Sequence, residues 1–227
     1  MRVFNLPNKC EALLFDMDST LYTNEEYANS QIDLLVERLA HVQSKTSAQM
    51  KYEIDEYRKN WAAEHEGKAI SLGNVFKAFG VSMEDNIRWR EELCQPEKYL
   101  CCDKNLRSAL LKLSSCFALA VVTNNPVSIA TRTFSVLGIS DILNKIVGLN
   151  TFGISKPHEI LFKRAAQLCC ASIEHCISIG DRYDIDIALP IELGMGGIQV
   201  KGVEDIYKLP QLLMKNCGHD KKTEDSL

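Results

Sequence analysis

The stretch LLFDMDSTLY, residues 13–22, decides how this chain is read. Leu13, Leu14 and Phe15 extend an apolar run that begins at Ala12, and the run halts at two carboxylates, Asp16 and Asp18, followed by Ser19 and Thr20. A turn tolerates such acids, because aspartate readily bonds its own backbone. A catalytic site at the end of a buried strand requires them.

Short apolar runs recur along the 227 residues, and each is followed by an amphipathic segment. Strands are expected at residues 12–15, 117–122, 145–149, 176–179 and 197–200. They read as nearly continuous apolar residues, the pattern of strands covered on both faces. Helices are expected at 105–113, 126–137, 157–168, 185–193 and 203–214. Asn125 can cap a helix whose first residue is Pro126, and Gly138 stops it. Pro190 and Pro210 should kink or split the last two helices. This alternation predicts an α/β fold, a doubly wound, Rossmann-like parallel sheet.

One region breaks the alternation. From Thr23 to Lys98 only helical signals occur, which predicts an all-helical insert, a cap domain over 23–98. The α/β core is then expected over 1–22 and 99–215, with a polar tail at 216–227. Thr23-x-x-Glu26 has the form of a capping box, and Ala28, Ile32, Leu35, Leu39 and Val42 follow on one face. Met50, Ile54, Tyr57 and Trp61 form a second stripe, read as core of the insert. A short helix over 71–79 ends at Gly80, and Ser82-x-x-Asp85 starts a fourth.

Composition narrows the function. With 46% hydrophobic residues, 25% charged residues and a net charge of −4, nothing favours a nucleic acid polymer or an acidic membrane surface as partner. No signal-peptide pattern opens the chain and no run reaches membrane-spanning length, so a cytoplasmic protein is expected. Nine cysteines without a C-x-x-C read as reduced thiols, many of them filling core, rather than as a zinc cage or a disulfide framework. A thiol enzyme would need an activating neighbour, and no cysteine has an obvious one.

Ligands of open α/β sheets bind beyond the carboxyl ends of the strands. Asp16 and Asp18 stand there after the first strand, and Thr123-Asn124-Asn125 after the second. Gly180-Asp181, with Asp184 and Asp186 just beyond, follows the run at 176–179, and Lys156 precedes a helix. Clustered carboxylates repel one another unless a cation neutralises them. Mg²⁺ suits such a set, being held by one or two carboxylates, water and phosphate oxygens. With that charge offset, an aspartate can attack phosphorus, a second carboxylate can move the leaving group's proton, and Thr123 with loop amides can hold phosphate oxygens.

FDMDSTLY, VVTNN, Lys156 within SKP, and GDRYDID occur in the order of the four motifs of the haloacid dehalogenase-like hydrolases, and the chain resembles that family. The resemblance implies that Asp16 is the nucleophile, Asp18 the general acid and base, and Lys156 the residue that orients Asp16. It implies that Thr123, with Asn124 beside it, binds phosphate. Mg²⁺ would be held by Asp16, Asp181 and the main-chain carbonyl of Asp18, with Asp186 acting through water or a pair with Lys156, and Asp184 its rival. Where the family most often has glycine after the second aspartate, this chain has Ser19. Dehalogenases of this kind lack an acid at the position of Asp18, so a phosphatase acting on a small phosphomonoester is expected ahead of a phosphomutase or a non-catalytic binding module. The insert would read the leaving group. Its segment from Glu56 to Leu72, with the Thr20-Leu21-Tyr22 opening, is loosely similar to pyrimidine 5'-nucleotidase-like members, which makes a nucleoside monophosphate one expected substrate beside small sugar or glycolate phosphates. Arg58, His65 and Lys68 are the candidate specificity residues. His158 is expected to serve only the first turn of its helix.

Overall fold

In the computed structural model, which describes residues 1–214, six strands form one sheet: β1 (Arg2–Phe4), β2 (Ala12–Phe15), β3 (Ala118–Val122), β4 (Ile146–Val147), β5 (Cys176–Gly180) and β6 (Gly196–Gln199). Their order is β1-β6-β5-β2-β3-β4. All neighbours run parallel except β1, which lies antiparallel to β6 at the edge. The sequence expectation omits β1, a three-residue strand whose first two residues are exposed and which therefore carries no buried run. The polar tail expected over 216–227 lies outside the described residues.

Between β2 and β3 come α1 (Glu25–Val42), α2 (Ser47–Glu64), α3 (Leu72–Ala78), α4 (Met83–Leu93) and α5 (Lys104–Ser114). After β3 follow α6 (Val127–Leu137), α7 (Leu149–Phe152), α8 (Glu159–Leu168), α9 (Ala188–Glu192), α10 (Val203–Ile206) and α11 (Leu209–Leu213). Among the described residues no helix is long and apolar enough to cross a membrane.

The strands are buried on both faces, as their continuous apolar runs predict. Leu13 and Phe15 point to one side, where Leu106, Leu110 and Leu113 of α5 and Phe134 and Leu137 of α6 cover them. Ala12 and Leu14 point to the other, against Leu161, Phe162 and Ala165 of α8. Each fully buried Leu or Phe of this kind contributes about 1.5–3 kcal/mol. The helices from α1 to α4 form a third apolar cluster of their own around Leu35, Leu39, Met50, Ile54, Phe76 and Trp89.

Several local expectations shift. Asn24, not Thr23, caps α1 and accepts from Tyr27 N at 2.8 Å; the Thr23 hydroxyl instead accepts from Val203 N at 2.9 Å, at the start of α10. The buried face of α1 runs through Tyr27, Gln31, Leu35, Val36 and Leu39, which leaves Ile32 and Val42 of the expected stripe exposed. Trp61 leaves the apolar cluster and stacks on His65, with ring centroids 3.7 Å apart. Pro126 itself occupies the cap position of α6, its ψ of 150° lying outside the helical range while its carbonyl accepts the first helical bond from Ala130 N at 3.1 Å, and Asn125 is left for another task. Gly138 ends α6 in the left-handed region at φ 75°, as expected. The single helix expected over 185–193 is a π-helical turn, Tyr183–Ile187, running into α9.

Candidate active site

Strand register builds the site. β2 lies between β3 and β5, with Phe15 opposite both Val121 and Ile179, so the residues that follow these strands emerge side by side. Asp16 N donates to Ile179 O at 2.7 Å, extending the ladder one residue past β2. Thr123 N donates to Val147 O at 2.9 Å, which does the same past β3. This is the position where the chain crosses from one side of the sheet to the other, the usual ligand site of such folds.

Lys156 lies at the centre. Its side chain is 1% exposed, and its Nζ donates to Asp16 Oδ1 and Asp186 Oδ1, both at 2.6 Å. Its backbone N donates to Asn124 Oδ1 at 2.6 Å, which ties the loop after β3 to the lysine. Burial alone would lower the Lys156 pKa, but Asp16 and Asp186 outweigh it and hold the ammonium above its ordinary range. Burial pushes Asp16 up to about 7, with Asp186 adding to the effect and Lys156 opposing it.

The π-helical turn brings Asp186 back to the strand end. A Cβ at Gly180 would lie 2.4 Å from Asp186 Cβ, so only glycine permits this approach. Asp186 Oδ2 accepts from Arg182 N at 3.1 Å, and Ser178 Oγ donates to Asp186 O at 2.7 Å. Carboxylate oxygens of Asp16, Asp181 and Asp186 lie within 4.8 Å of one another. Asp184 is outside this group: its Oδ2 accepts from Ala69 N of the insert at 3.1 Å, so it docks the insert instead of joining the acids. The guanidinium of Arg182, which sequence reasoning missed, stands 3.7 Å from Asp181 and 4.0 Å from Asp186.

Asp18 has a different environment two residues from Asp16. Neutral donors hold both of its oxygens: Tyr22 OH donates to Oδ1 and Asn125 Nδ2 to Oδ2, the latter at 2.7 Å. Gln31 of α1 reaches Tyr22 OH at 3.2 Å. Asn125 in turn accepts from Arg90 Nη1 at 2.9 Å, so a side chain of α4 fixes which end of the amide faces Asp18. The turn that carries Asp18 is strained. Ser19 sits at φ 57°, in the left-handed region where a side chain costs about 1–2 kcal/mol.

A cavity of about 230 Å³ opens beside Asp18, and Asn124, Asn125, Asp181, Arg182, Arg58 and Arg90 are among its lining residues. Of the three specificity candidates only Arg58 faces it. His65 and Lys68 line a second cavity together with Trp61 and Asp184, which shares only Ile70 and Ser71 with the first. The structure thus sets them apart from Arg58: α2 ends at Glu64, so the two residues fall beyond the helix that carries Arg58, and His65 stacks on Trp61. His158 caps α8, its Nδ1 accepting from Ile160 N at 3.4 Å.

Two buried orphan atoms describe what the rim accepts. Among the described residues Asn124 Nδ2 has no acceptor and Asp181 Oδ1 has no hydrogen-bond donor. One asks for an anion's oxygen and the other for a cation, and each costs roughly 1–3 kcal/mol while unsatisfied. The oxygen donors of Asp16 and Asp181 are the hard ligands that Mg²⁺ prefers, so the residues present fit that ion. The thiols do not compete for the role of nucleophile. Among the described residues Cys94, Cys101, Cys102, Cys116, Cys169, Cys170 and Cys176 form no disulfide, and burial pushes Cys94 up to about 11 and Cys176 to about 12, away from the thiolate.

The comparisons with known proteins agree with this geometry. The family profile of the haloacid dehalogenase-like hydrolases matches residues 10–194. No curated protein matches the chain in sequence. The structure of a HAD phosphatase from Thermococcus onnurineus is similar at a TM-score of 0.61 and 16% identity, over 89% of this chain and 97% of that one. The HAD-hydrolase YfnB from Bacillus subtilis, solved bound to magnesium, gives 0.55 at 19% identity, covering 89% and 99%. A 2-haloacid dehalogenase from Pseudomonas syringae pv. Tomato DC3000 gives 0.56 at 16% identity, covering 91% and 99%.

Proposed function

Because the chain belongs to the haloacid dehalogenase-like hydrolases, we propose that it is a Mg²⁺-dependent phosphatase that cleaves a small phosphomonoester through an aspartyl-phosphate. One observation carries this reading. Asp16 is clamped by a buried lysine, while Asp18, two residues on, is held by neutral donors and faces a cavity. Two carboxylates in such unlike surroundings suit two roles. Dehalogenases share the fold, but a halide leaves without a proton. A positioned acid at Asp18 has a use where an alkoxide leaves.

Lys156 holds the Asp16 carboxylate in one rotamer while an Asp16 oxygen attacks phosphorus. The new oxygen–phosphorus bond forms as the ester bond breaks, and Asp18 delivers its proton to the departing oxygen. Asp18 then takes a proton from water as that water attacks the aspartyl-phosphate, releasing inorganic phosphate and restoring Asp16. Asn124 Nδ2 and the Thr123 hydroxyl donate to the transferring phosphoryl oxygens. Asp16, Asp181 and the carbonyl of Asp18 would hold Mg²⁺, which when bound supplies the positive charge that lets a phosphate dianion approach these acids. Asp186 already accepts from Lys156 and Arg182 N, and it acts beside the ion by fixing the lysine. The helical insert over 23–98 serves as the cap that limits water and receives the leaving group.

Phosphate release from a generic aryl phosphate tests the proposal. Activity with Mg²⁺ that disappears with chelator and in Asp16→Asn supports it. Near-wild-type turnover by Asp16→Asn contradicts it, and so does halide release from a 2-haloacid with no phosphatase activity.

A further inference from the structure

Two guanidiniums of the helical insert face the cavity beside Asp18 without a direct ion pair among the described residues. Arg58 comes from α2 and Arg90 from α4, and among the described residues neither has a carboxylate oxygen within 4.0 Å. Arg107 and Arg132 on the surface do have one: Arg107 pairs with Asp141 at 2.6 Å and Arg132 with Glu97 at 2.7 Å. An unpaired charge costs most where water is excluded, so the lack of a direct partner weighs most at a buried guanidinium.

Arg90 is the stronger case. It is 7% exposed, and its Nε and Nη1 donate to Asn86 Oδ1 at 3.0 Å and Asn125 Oδ1 at 2.9 Å. These neutral acceptors fix the plane of the guanidinium, and Asp18, the carboxylate that attracts it, is reached only through the Asn125 amide. Its Nη2 has no acceptor among the described residues. Arg58 is half-buried and donates to nothing in the described residues. Burial draws both guanidiniums below their ordinary range, outweighing the attraction of Asp55 on Arg58 and of Asp18 on Arg90, and Arg182 repels each of them. Arg182 itself is differently placed, since Asp181 and Asp186 stand beside it. The phosphoryl group is served from the sheet rim by Lys156, Asn124 and Thr123. Arg58 and Arg90 come from the opposite element, where the leaving group must lie.

We propose that the substrate carries a second anion on its leaving group, a carboxylate or a second phosphate, which Arg58 and Arg90 bind while Asp16 takes the phosphoryl group. This inference rests on the phosphatase reading above. A fork of guanidinium donors matches either oxyanion. The cavity of about 230 Å³ is below the range of about 300–1,000 Å³ usual for drug-sized ligands, so the two anions are separated by only a few bonds. A neutral nucleoside as leaving group leaves both arginines uncompensated, which disfavours nucleoside monophosphates.

The test compares three substrates of matched size with full-length, Mg²⁺-loaded protein: carboxymethyl phosphate, its isosteric amide carbamoylmethyl phosphate, and ethylene glycol bisphosphate. Either anionic leaving group should exceed the amide in kcat/KM by about 10–100-fold, and the better of the two identifies the second anion. In Arg58→Gln and Arg90→Gln that ratio should collapse toward one. The ratio is read within each variant, so a general loss of activity or fold does not produce it. Equal kcat/KM for all three substrates, or a ratio that survives both substitutions, overturns the inference while leaving the phosphatase reading intact. If no phosphate is released from any ester, the phosphatase reading fails, and calorimetry with 3-phosphonopropionate and its amide still reads the second anion. Tighter binding of the acid, lost in Arg58→Gln, supports it, and equal binding overturns it.

Discussion

The sheet rim and the helical insert both send side chains to the same cavity, by different means. At the rim Asp16, Thr123 and Asp181 each stand one position beyond a strand whose neighbours are fixed by hydrogen-bond register, so they converge wherever the strands pair. In the insert Arg58, His65 and Lys68 lie close in sequence yet separate into two cavities. A strand end determines where its next side chain goes. A helix end does not, because the loop after α2 is placed by contacts such as that between Ala69 and Asp184. On the proposed function, the chemistry belongs to the part placed by strand register, and selection to the part whose geometry depends on packing.

Substitutions can break this contrast, and the largest effect falls on the rim. Asp16→Asn should lower kcat by about 10⁴-fold or more, with Mg²⁺ present, as expected for loss of a covalent nucleophile. Gly180→Ala, which touches no reacting atom, should cost about 10²-fold because the new methyl displaces Asp186 and with it Lys156. A rate within a few fold of wild type for Gly180→Ala would mean that register does not place the acids. His65→Ala should change kcat/KM by less than about threefold, since its ring lies against Trp61 in the other cavity.

Acid–base linkage sharpens the same contrast in the metal-free protein. Asp16 titrates at about 7 in the folded state against an ordinary value of 3.8, so the folded protein binds that proton more tightly than the unfolded chain. Stability contributed by this group is present at low pH and declines as pH rises from about 4 to about 7. Differential scanning calorimetry should show that decline, and Asp16→Asn should flatten it. The smallest expected effect is at Ser19. Ser19→Gly should stabilise the protein by up to about 1 kcal/mol in denaturant titration, through relief of its left-handed backbone.

Much of the fold is legible in the residues because buried parallel strands leave continuous apolar runs, and the acids that end those runs mark the rim. The edge strand β1 leaves no such run, since two of its three residues are exposed. The turn after β5 reads as plain helix because Asp184 and Asp186 have equal claims by composition. Only the π-helical geometry turns Asp186 toward Lys156 and Asp184 toward Ala69. Arg90 and Asn125 form a buried pair across 35 residues of chain, and neither belongs to a periodic pattern that would announce it. Thr23 looks like a cap in sequence, but Asn24 is the stronger acceptor and takes the role, which leaves Thr23 to hold α10.

The central claim is that Asp16 becomes covalently phosphorylated, and acid quenching during turnover followed by peptide mass spectrometry tests it most directly. The account predicts one phosphoryl group on the peptide containing Asp16, removed by hydroxylamine as an acyl phosphate must be. A phosphoryl group trapped on another side chain, or steady phosphate release with the Asp16 peptide unmodified at every quench time, would contradict it.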